Sequence, residues 1–433
     1  MIYIFLTTLS IYIGMVLFTK HRTSIALIGS GLLLAMGVLT STFDAKMAFA
    51  KFPGEIIILI IVLSLFTDIF SKLGLINFIG YKFVSLSNGN KAKIMITIPI
   101  LMYATSLFMN NLTVVLLFTY MALYLAIEYR LPIIPLLVSI IIGSNIGGAP
   151  LPWADTPAVI LTLYSDFNLI DFLSKLFIPC FIYTLLLSVY TYIWYKYFSP
   201  HERYLPFREK PDINWKKVRL PLVIFILYIA GVSIGPFIDI SIAYVSLIFG
   251  GIALFISNGN SMDNLNRLPI MDSIVFIVAL FLIGGVLESS GILTIAANYV
   301  ISFTNENSYL ITLSVLLIAF AIATFLSAGP AASTLLPICA ALSYLVPNKL
   351  IYAALALGVL AGSSMLPWSA TGGPILLSET NRFLNEVNLD KEDRKRINEI
   401  YNLKSYILFS IPFSTIMLLL SAIYLVTFIK LST

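Results

Sequence analysis

The sequence predicts an all-α polytopic membrane protein composed of two inverted repeats of five spans, each with a re-entrant hairpin and a broken transmembrane helix. Three observations support this prediction: an apolar composition, a motif that recurs about half a chain later, and basic residues concentrated in alternate loops. Of the 433 residues, 59% are hydrophobic and only 11% are charged, and the mean hydropathy is +0.97. Soluble domains carry roughly 25% charged residues, so this composition indicates a protein embedded in a bilayer.

The apolar segments have the length of membrane spans. They run for about 17 to 20 residues, which at 1.5 Å per residue crosses a hydrocarbon core of about 30 Å. About ten such spans can be placed along the chain. The first, at 2–18, has no small-residue cleavage site after it and ends at Lys20, His21 and Arg22, so it is interpreted as a retained span and not as a signal peptide.

A short motif indicates an internal duplication. Residues 151–156 read Leu-Pro-Trp-Ala-Asp-Thr, and residues 366–371 read Leu-Pro-Trp-Ser-Ala-Thr. Other matched features, such as Gly74 and Gly291, are separated by about 215 to 218 residues as well. The predicted organisation is a first inverted repeat at 1–195, a basic cytoplasmic linker at 196–217 and a second inverted repeat at 218–433.

Each repeat is predicted to contain three spans, an interfacial stretch, a hairpin, a broken span and a final span. In the first repeat these lie at about 2–19, 23–41, 54–71, 75–91, 93–127, 132–164 and 174–195. In the second, the spans lie at about 218–236, 240–257 and 270–288, the hairpin at 308–346, the broken span at 348–377 and the final span at 405–428. Unwound backbone at membrane depth is tolerated only around a cavity, so matched breaks in two halves indicate a transport site.

Basic residues predict the orientation of the chain. If the first loop is cytoplasmic, the crossings also place 72–93, 196–219 and 378–404 inside, and each of these segments contains several Lys or Arg residues. The segment at 289–307, predicted outside, contains neither. An odd number of crossings in each repeat then inverts the second relative to the first. The predicted location is the plasma membrane, as a multi-pass protein.

The first hairpin turns at Asn110 and Asn111, two carboxamides in an apolar stretch. An unsatisfied carboxamide at that depth costs several kcal/mol, so both should face polar groups. One interpretation is that their carbonyls ligate a coupling cation while their amides donate to a substrate. The other is that they cap the two helix ends at the turn.

The first broken span is rich in glycine and proline between 143 and 157, residues that open a helix near its middle. An opened helix offers free carbonyls to a cation and free amides to an anion. Asp155 is the one acid in this break, and an intramembrane carboxylate is a functional hypothesis by default. Three roles remain open for it: binding sodium, carrying a proton, or capping the helix that begins at Thr156.

The second half offers hydroxyls and backbone at the matching positions but no carboxylate. Because only the first half has a carboxylate at these positions, the sequence predicts a site whose charge lies in the first half. Trp153 and Trp368 are expected to pack the crossing of the two broken helices rather than to line the cavity. The predicted substrate-binding residues are Asn110, Asn111, Thr113, Asn145, Ser327, Ser333, Thr334, Ser364 and Thr371. The predicted cation-binding residues are Asn110, Asn111, Gly147, Asp155, Thr156, Gly329 and Ser369.

These motifs resemble a known superfamily. A polar hairpin tip followed by Ser-Asn-Ile-Gly-Gly at 144–148 and Pro-Trp-Ala-Asp-Thr-Pro at 152–157 is similar to the ion-transporter superfamily of arsenite permeases, sodium/proton antiporters and divalent-anion/sodium symporters. The glycine-rich segment at 284–291 resembles the one before the family's second hairpin. In the symporter branch each of the two hairpin tips carries Ser-Asn-Thr, and of these residues only Asn111 and Ser327 are identical here. The acid at 155, in contrast, favours the antiporter and permease branches.

The resemblance implies a homodimer in which a fixed scaffold domain supports a moving transport domain, with the hairpins and broken helices crossing the membrane in an elevator motion. The leading hypothesis is therefore an ion-coupled secondary active transporter of a small carboxylate or oxyanion, with Na⁺ or H⁺ as the coupling ion. The alternative is a sodium/proton antiporter in which Asp155 is the exchange carboxylate.

Other functional classes find little support. No catalytic residue, resident metal or cofactor is predicted, because both histidines lie in basic loops and no second acid is near Asp155 in the sequence. There is no glycine-rich phosphate loop, and no charge ring or filter motif indicates a channel. The net charge of +5 comes from basic loops beside the spans and does not indicate nucleic-acid binding. The predicted partners are the small ion substrate, the lipid bilayer and a second copy of the chain.

Overall fold

A computed structural model gives the fold of most of the chain. It describes residues 2–18, 21–40, 54–75, 78, 82, 85, 90–109, 111–128, 131–198, 213–234, 240–256, 271–326, 328–367, 369–370, 372–373, 376, 380 and 403–432. Throughout these residues the regular structure is helical, and no strand occurs among them. The all-α fold class predicted from the sequence is confirmed.

In the first half, the helices agree with the predicted elements to within a few residues. Their bounds are α1 (Ile2–Leu17), α2 (Arg22–Thr40), α3 (Gly54–Lys72), α4 (Lys91–Ser106), α5 (Asn111–Glu128), α6 (Ile133–Gly148), α7 (Thr156–Tyr164), α8 (Leu169–Phe172) and α9 (Ile178–Phe198). A π-helical turn at Leu173–Phe177 joins α8 to α9. Thus the predicted hairpin consists of α4 and α5, and the predicted broken span consists of α6 and α7.

In the second half, the same order of elements follows. The bounds are α10 (Trp215–Ile234), α11 (Ile242–Ile256), α12 (Met271–Ser289), α13 (Ile292–Thr304), α14 (Ser308–Leu326), α15 (Ala328–Leu342) and, after two short 3₁₀ turns, α16 (Leu350–Ser363) and α17 (Leu403–Ser432). The predicted second hairpin is α14 and α15. The second broken span begins with α16, and most of its continuation lies outside the described residues, as do most of the two basic loops predicted at 196–219 and 378–404.

Several helices are long and apolar enough to cross a membrane. By length and composition, four such segments occur among the described residues: Thr23–Thr40, Leu169–Tyr197, Ser308–Phe325 and Lys404–Leu431. Shorter apolar helices, including α6 and α11, accompany them. The protein is therefore an all-helical membrane protein, while the predicted total of about ten spans and their orientation stay predictions.

The helices form a central body and two smaller groups that pack on it. In the body, α14 packs along α16 and α4 packs along α6, with α9 and α17 against them. One group consists of α1, α2 and α12, has its own apolar core that includes Ile4 and Phe276, and contacts the body through α15. The other consists of α3, α10 and α11 and contacts the body through α7. Each group thus combines helices from both halves of the sequence.

Glycines allow the paired helices of the body to cross at backbone distance. A Cβ atom on Gly147 of α6 would lie 2.5 Å from the Tyr103 carbonyl oxygen of α4. A Cβ atom on Gly362 of α16 would overlap the Phe320 carbonyl oxygen of α14 in the same manner. Only glycine fits at either crossing, and the two crossings are related by the same sequence offset of about 215 to 217 residues.

An ion-pair cluster joins the segment after α7 to the segment before α16. Asp171 accepts hydrogen bonds from Lys175 and, at 3.2 Å, from Lys349. Lys349 also donates to the backbone carbonyl of Asp166. Since α7 ends at this cluster and α16 begins there, the first broken helix runs towards this end of the molecule and the second runs away from it.

Replacing Asp171 by Asn is expected to lower the free energy of unfolding by about 1–3 kcal/mol. The reason is that Lys175, only 8% exposed, would lose its carboxylate partner. Lys349→Met is the matched comparison and should cost less than about 1 kcal/mol, because the Lys349 side chain is 34% exposed. Thermal unfolding of the purified protein in detergent measures both, and equal losses in the two variants would contradict this dependence on burial.

Candidate functional site

The tip of the first hairpin places a buried carboxamide against the first broken helix. Asn111, the first residue of α5, is fully buried. Its Nδ2 donates to Asn145 Oδ1 of α6 at 2.6 Å. The hairpin and the broken helix are therefore joined through two amide side chains. Asn110, the predicted neighbour at this tip, and the side chain of Thr113 lie outside the described residues.

The first broken helix opens where the sequence predicts it. Between the end of α6 at Gly148 and the start of α7 at Thr156, two prolines without N–H groups prevent a continuous helix. Asp155 caps α7, since its Oδ1 accepts a hydrogen bond from Thr156 N at 2.8 Å. Capping, one of the three roles considered for this acid, is thus observed. It uses one carboxylate oxygen and leaves the coupling roles open, because a carboxylate has a second oxygen for a ligand.

Gly148 allows the Asp155 side chain to fold back on the end of α6. A Cβ atom on Gly148 would lie only 2.7 Å from Asp155 Cβ, so a larger residue would displace the acid. Asp155 is 7% exposed, and its carboxylate interacts with the side chain of Asn111. A helix C-terminus carries partial negative charge. The buried Asp155 carboxylate therefore adds its negative charge to that of the end of α6, and together these charges attract a cation or a proton.

The second broken helix contributes hydroxyl groups to the same place. Asn145 Nδ2 donates to Ser364 Oγ at 3.2 Å, which connects the two broken helices directly. Ser369 shapes the turn after α16, because its hydroxyl donates to the Leu366 carbonyl at 2.8 Å and accepts from Leu366 N at 3.1 Å. The second of these bonds gives the Leu366 N–H, which lies beyond the end of α16, a side-chain acceptor.

The tip of the second hairpin closes the site from the other half. A Cβ atom on Gly329 of α15 would lie 3.1 Å from Thr156 Cγ2, so the start of α15 packs on the start of α7. Ser327, the predicted ligand at this tip, lies outside the described residues. The two hairpin tips and the two broken helices therefore meet around Asp155 and Asn145.

A small cavity lies at this meeting point. Its volume is about 20 Å³, enough for about one water-sized species. Asn145, Gly148 and Asp155 line it from the first half, and Ala328 and Ser363 are among the residues that line it from the second. Asp155 is the only charged residue in the lining among the residues that the structure describes.

Trp153 is buried within the body, and its observed contact is with the first hairpin, whereas the sequence predicted packing at the crossing of the two broken helices. It is 5% exposed, and its Nε1 donates to the Leu107 carbonyl at 3.1 Å, where α4 has just ended. Ser106 Oγ likewise donates to the Ser144 carbonyl at 2.8 Å. These bonds fix the hairpin to the broken helix. Trp368, the matching tryptophan of the second half, lies outside the described residues.

Not every predicted site residue reaches the cavity. Thr334 faces away from it, and its hydroxyl lies 3.0 Å from the hydroxyl of Tyr12 in α1. Ser333 is buried on the same helix but does not line the cavity. Gly147 lies against the α4 backbone, so its observed role is in helix packing. Thr371 is outside the described residues.

Sequence reasoning missed most of the residues that line the cavity, including the glycine Gly148 and the hydroxyl-bearing Ser363. Gly148 belongs to a glycine pair that ends two residues before the first proline of the break, Pro150, and this pairing was the available signal. Ser363 stands beside the predicted Ser364, and only the direction of each side chain from α16 separates their roles. Adjacent helical residues point about 100° apart.

The family described as citrate transporter matches residues 8–358 of the chain. The protein belongs to the citrate transporter family. Members of this family are transporters, so the all-helical membrane protein described above is a transporter, and the superfamily suggested by the sequence motifs is confirmed.

Relatives of this citrate transporter family member extend over nearly the whole chain. The magnetosome protein MamN of Magnetospirillum gryphiswaldense is 22% identical over 408 residues, which cover 92% of each chain. The 46 kDa membrane protein of Mycobacterium leprae is 22% identical over 368 residues, covering 82% of this chain and 85% of that protein. The crystal structure of the Alcanivorax borkumensis YdaH transporter has a similar fold, with a TM-score of 0.62, 14% identity and coverage of 95% of this chain and 98% of that chain.

Proposed function

We propose that this family member is an ion-coupled secondary active transporter that moves a small carboxylate or oxyanion across the membrane. The observation that carries the proposal is a buried polar group beside the cavity between the two broken helices: Asn145 and Asp155 line this cavity, and Asn145 is hydrogen-bonded to Asn111 and Ser364 behind it. Polar and acidic groups at membrane depth are costly, and where they occur they typically mark the pathway of a substrate or an ion. The description of the family as citrate transporters favours a carboxylate as the cargo.

The coupling cation, Na⁺ or H⁺, binds beside Asp155. A carboxylate oxygen, the Asn111 carbonyl and the carbonyls at the end of α6 are hard oxygen donors, which suit an alkali cation. A proton on Asp155 would remove the same unfavourable charge. The anion then binds against the cation, with the remaining hydroxyls and amides of the second half as hydrogen-bond donors.

The architecture supports alternating access. Each half contributes one glycine crossing of the same geometry, and the two broken helices run in opposite directions relative to the Asp171 cluster. Both features are those of inverted repeats, with the proposed boundaries at 1–195 and 218–433. The proposed elevator moves the central body against the groups that contain α3 and α12, in a homodimer in the plasma membrane with the basic loops on the cytoplasmic side.

Sodium/proton exchange is the second candidate function. It is favoured by one observation: among the described residues that line the cavity, Asp155 is charged and no Lys or Arg accompanies it. A lone acid suits the alternate binding of a proton and a sodium ion, whereas an anion would need the cation to neutralise that acid first.

Transport by the purified full-length protein in proteoliposomes separates the two functions. Uptake of radiolabelled citrate is measured with an imposed inward sodium or proton gradient, and a pH-sensitive dye inside the vesicles reports proton movement. Gradient-driven citrate uptake supports the anion transporter. A dye response to external sodium without citrate, combined with no citrate uptake, would overturn it in favour of exchange.

A further inference from the structure

Three buried side chains form a hydrogen-bond relay from the first hairpin to the second broken helix. Asn111 Nδ2 donates to Asn145 Oδ1 at 2.6 Å, and Asn145 Nδ2 donates to Ser364 Oγ at 3.2 Å. The three residues are 0%, 5% and 0% exposed. We call these three hydrogen-bonded residues, Asn111, Asn145 and Ser364, the amide relay. It crosses between the two halves of the sequence, since Asn145 and Ser364 lie on α6 and directly after α16.

The direction of the relay is set at Ser364. Its hydroxyl hydrogen is committed to the Leu360 carbonyl, to which it donates at 2.8 Å. The Ser364 oxygen therefore acts towards Asn145 only as an acceptor. This requires Asn145 to turn its NH₂ group towards Ser364 and its carbonyl oxygen towards Asn111. Asn111 must then present its own NH₂ group to Asn145.

This direction determines what Asn111 offers to a ligand. Its NH₂ group is directed to Asn145, and the same side chain interacts with the Asp155 carboxylate. The remaining atom is Oδ1, which is buried and has no hydrogen-bond partner in the described part of the chain. A buried carbonyl oxygen next to an acid can be satisfied by a cation or by a proton donor, and not by an anion.

We propose that the amide relay orients Asn111 so that its carbonyl oxygen serves the coupling cation, which makes Asn145 and Ser364 positioning residues for that cation. This inference rests on the proposed function, in which the cation binds beside Asp155. Ser364 thus acts in cation selection, whereas the sequence placed it among the substrate ligands. A residue of the second half thereby tunes a cation site that belongs to the first half.

Ser364→Ala tests the relay, because it removes the acceptor that sets the direction of the Asn145 amide. Loss of one orienting hydrogen bond is expected to raise the half-saturating concentration of the driving cation about five- to tenfold. Sodium chloride is titrated in citrate uptake by proteoliposomes, with choline chloride as the replacement salt, and proton drive is titrated through the external pH. The maximal rate and the citrate concentration at half-saturation should change less than twofold, and Ser364→Thr, which keeps the hydroxyl, should restore the cation response.

Ser188→Ala is the matched control. Ser188 of α9 is buried and, like Ser364, donates to the carbonyl four residues earlier, that of Thr184, at 3.0 Å, but it belongs neither to the amide relay nor to the cavity lining. A cation response in Ser188→Ala as large as that in Ser364→Ala would overturn the relay, as would a Ser364→Ala variant that loses maximal rate while its cation dependence stays unchanged.

The variant Asp155→Asn distinguishes a failure of the relay from a failure of the proposed function. If Asp155→Asn keeps a normal cation dependence, the proposed cation site is wrong, whatever the serine variants do. If Asp155→Asn abolishes cation dependence while Ser364→Ala responds to cations like the unmodified protein, only the relay is wrong.

Discussion

Asp155→Asn is expected to reduce cation-coupled transport by about a hundredfold, which corresponds to the loss of roughly 3 kcal/mol of interaction with a charged group. The carboxylate is 7% exposed and lies at the end of α6 beside Asn111. An amide at this position has no negative charge to attract a cation and no proton to exchange. Transport driven by a sodium gradient and by a proton gradient should both be lost.

The substitution should leave the fold intact, which separates a transport effect from misfolding. The Asn side chain retains a carbonyl oxygen that can cap α7 by accepting from Thr156 N, and it is nearly the same size as Asp, so Gly148 still accommodates it. Asp166→Asn, in an exposed position outside the cavity, is the control and should transport normally. Unchanged cation-driven uptake in Asp155→Asn, with normal expression, would refute a coupling role for this acid.

Gly147→Ala and Gly362→Ala are expected to destabilise the protein by about 3 kcal/mol or more each. The added methyl group would meet the backbone carbonyl of Tyr103 or Phe320, and a backbone carbonyl inside a helix cannot move aside as a flexible side chain can. The paired helices would have to separate, which would open the core of the body. Thermal unfolding in detergent and the yield of monodisperse protein measure the effect.

Gly31→Ala and Gly251→Ala are the matched controls for these crossings. Both glycines lie in helices, and nothing lies within 4 Å of a Cβ atom built on either one. Alanine favours helix over glycine by up to about 1 kcal/mol, so these variants should be as stable as the unmodified protein or slightly more stable. Similar melting temperatures in all four variants would show that the close crossings do not limit stability.

Much of the fold was predictable because its signals are local or periodic. Apolar runs of span length and glycine-proline clusters gave the positions of both hairpins and of the first broken helix to within a few residues. The matched glycines at the two crossings follow the sequence offset seen first in the repeated Leu-Pro-Trp motif. Such features depend on the chain within one or two helices, so the sequence alone reveals them.

The candidate site was only partly predictable. The prediction singled out Asp155, Asn111, Asn145 and Ser364 because polar residues in apolar segments require partners, and the structure places all four together. It failed for the direction of Thr334, which contacts Tyr12 in α1. One turn from a hairpin tip, a side chain can face the cavity or the neighbouring helix group, and the sequence does not distinguish these two faces.

By itself, the sequence determined the all-helical membrane class, the order of hairpins and broken helices, and the single acid at the first break. These properties follow from composition, from segment length and from the few residues that interrupt a helix. Only the tertiary structure decided that Asn145 stands between Asn111 and Ser364, and that Asp155 folds back on Gly148. The physical reason is that these contacts join residues far apart in the chain, and their geometry depends on how closely α4, α6, α14 and α16 pack.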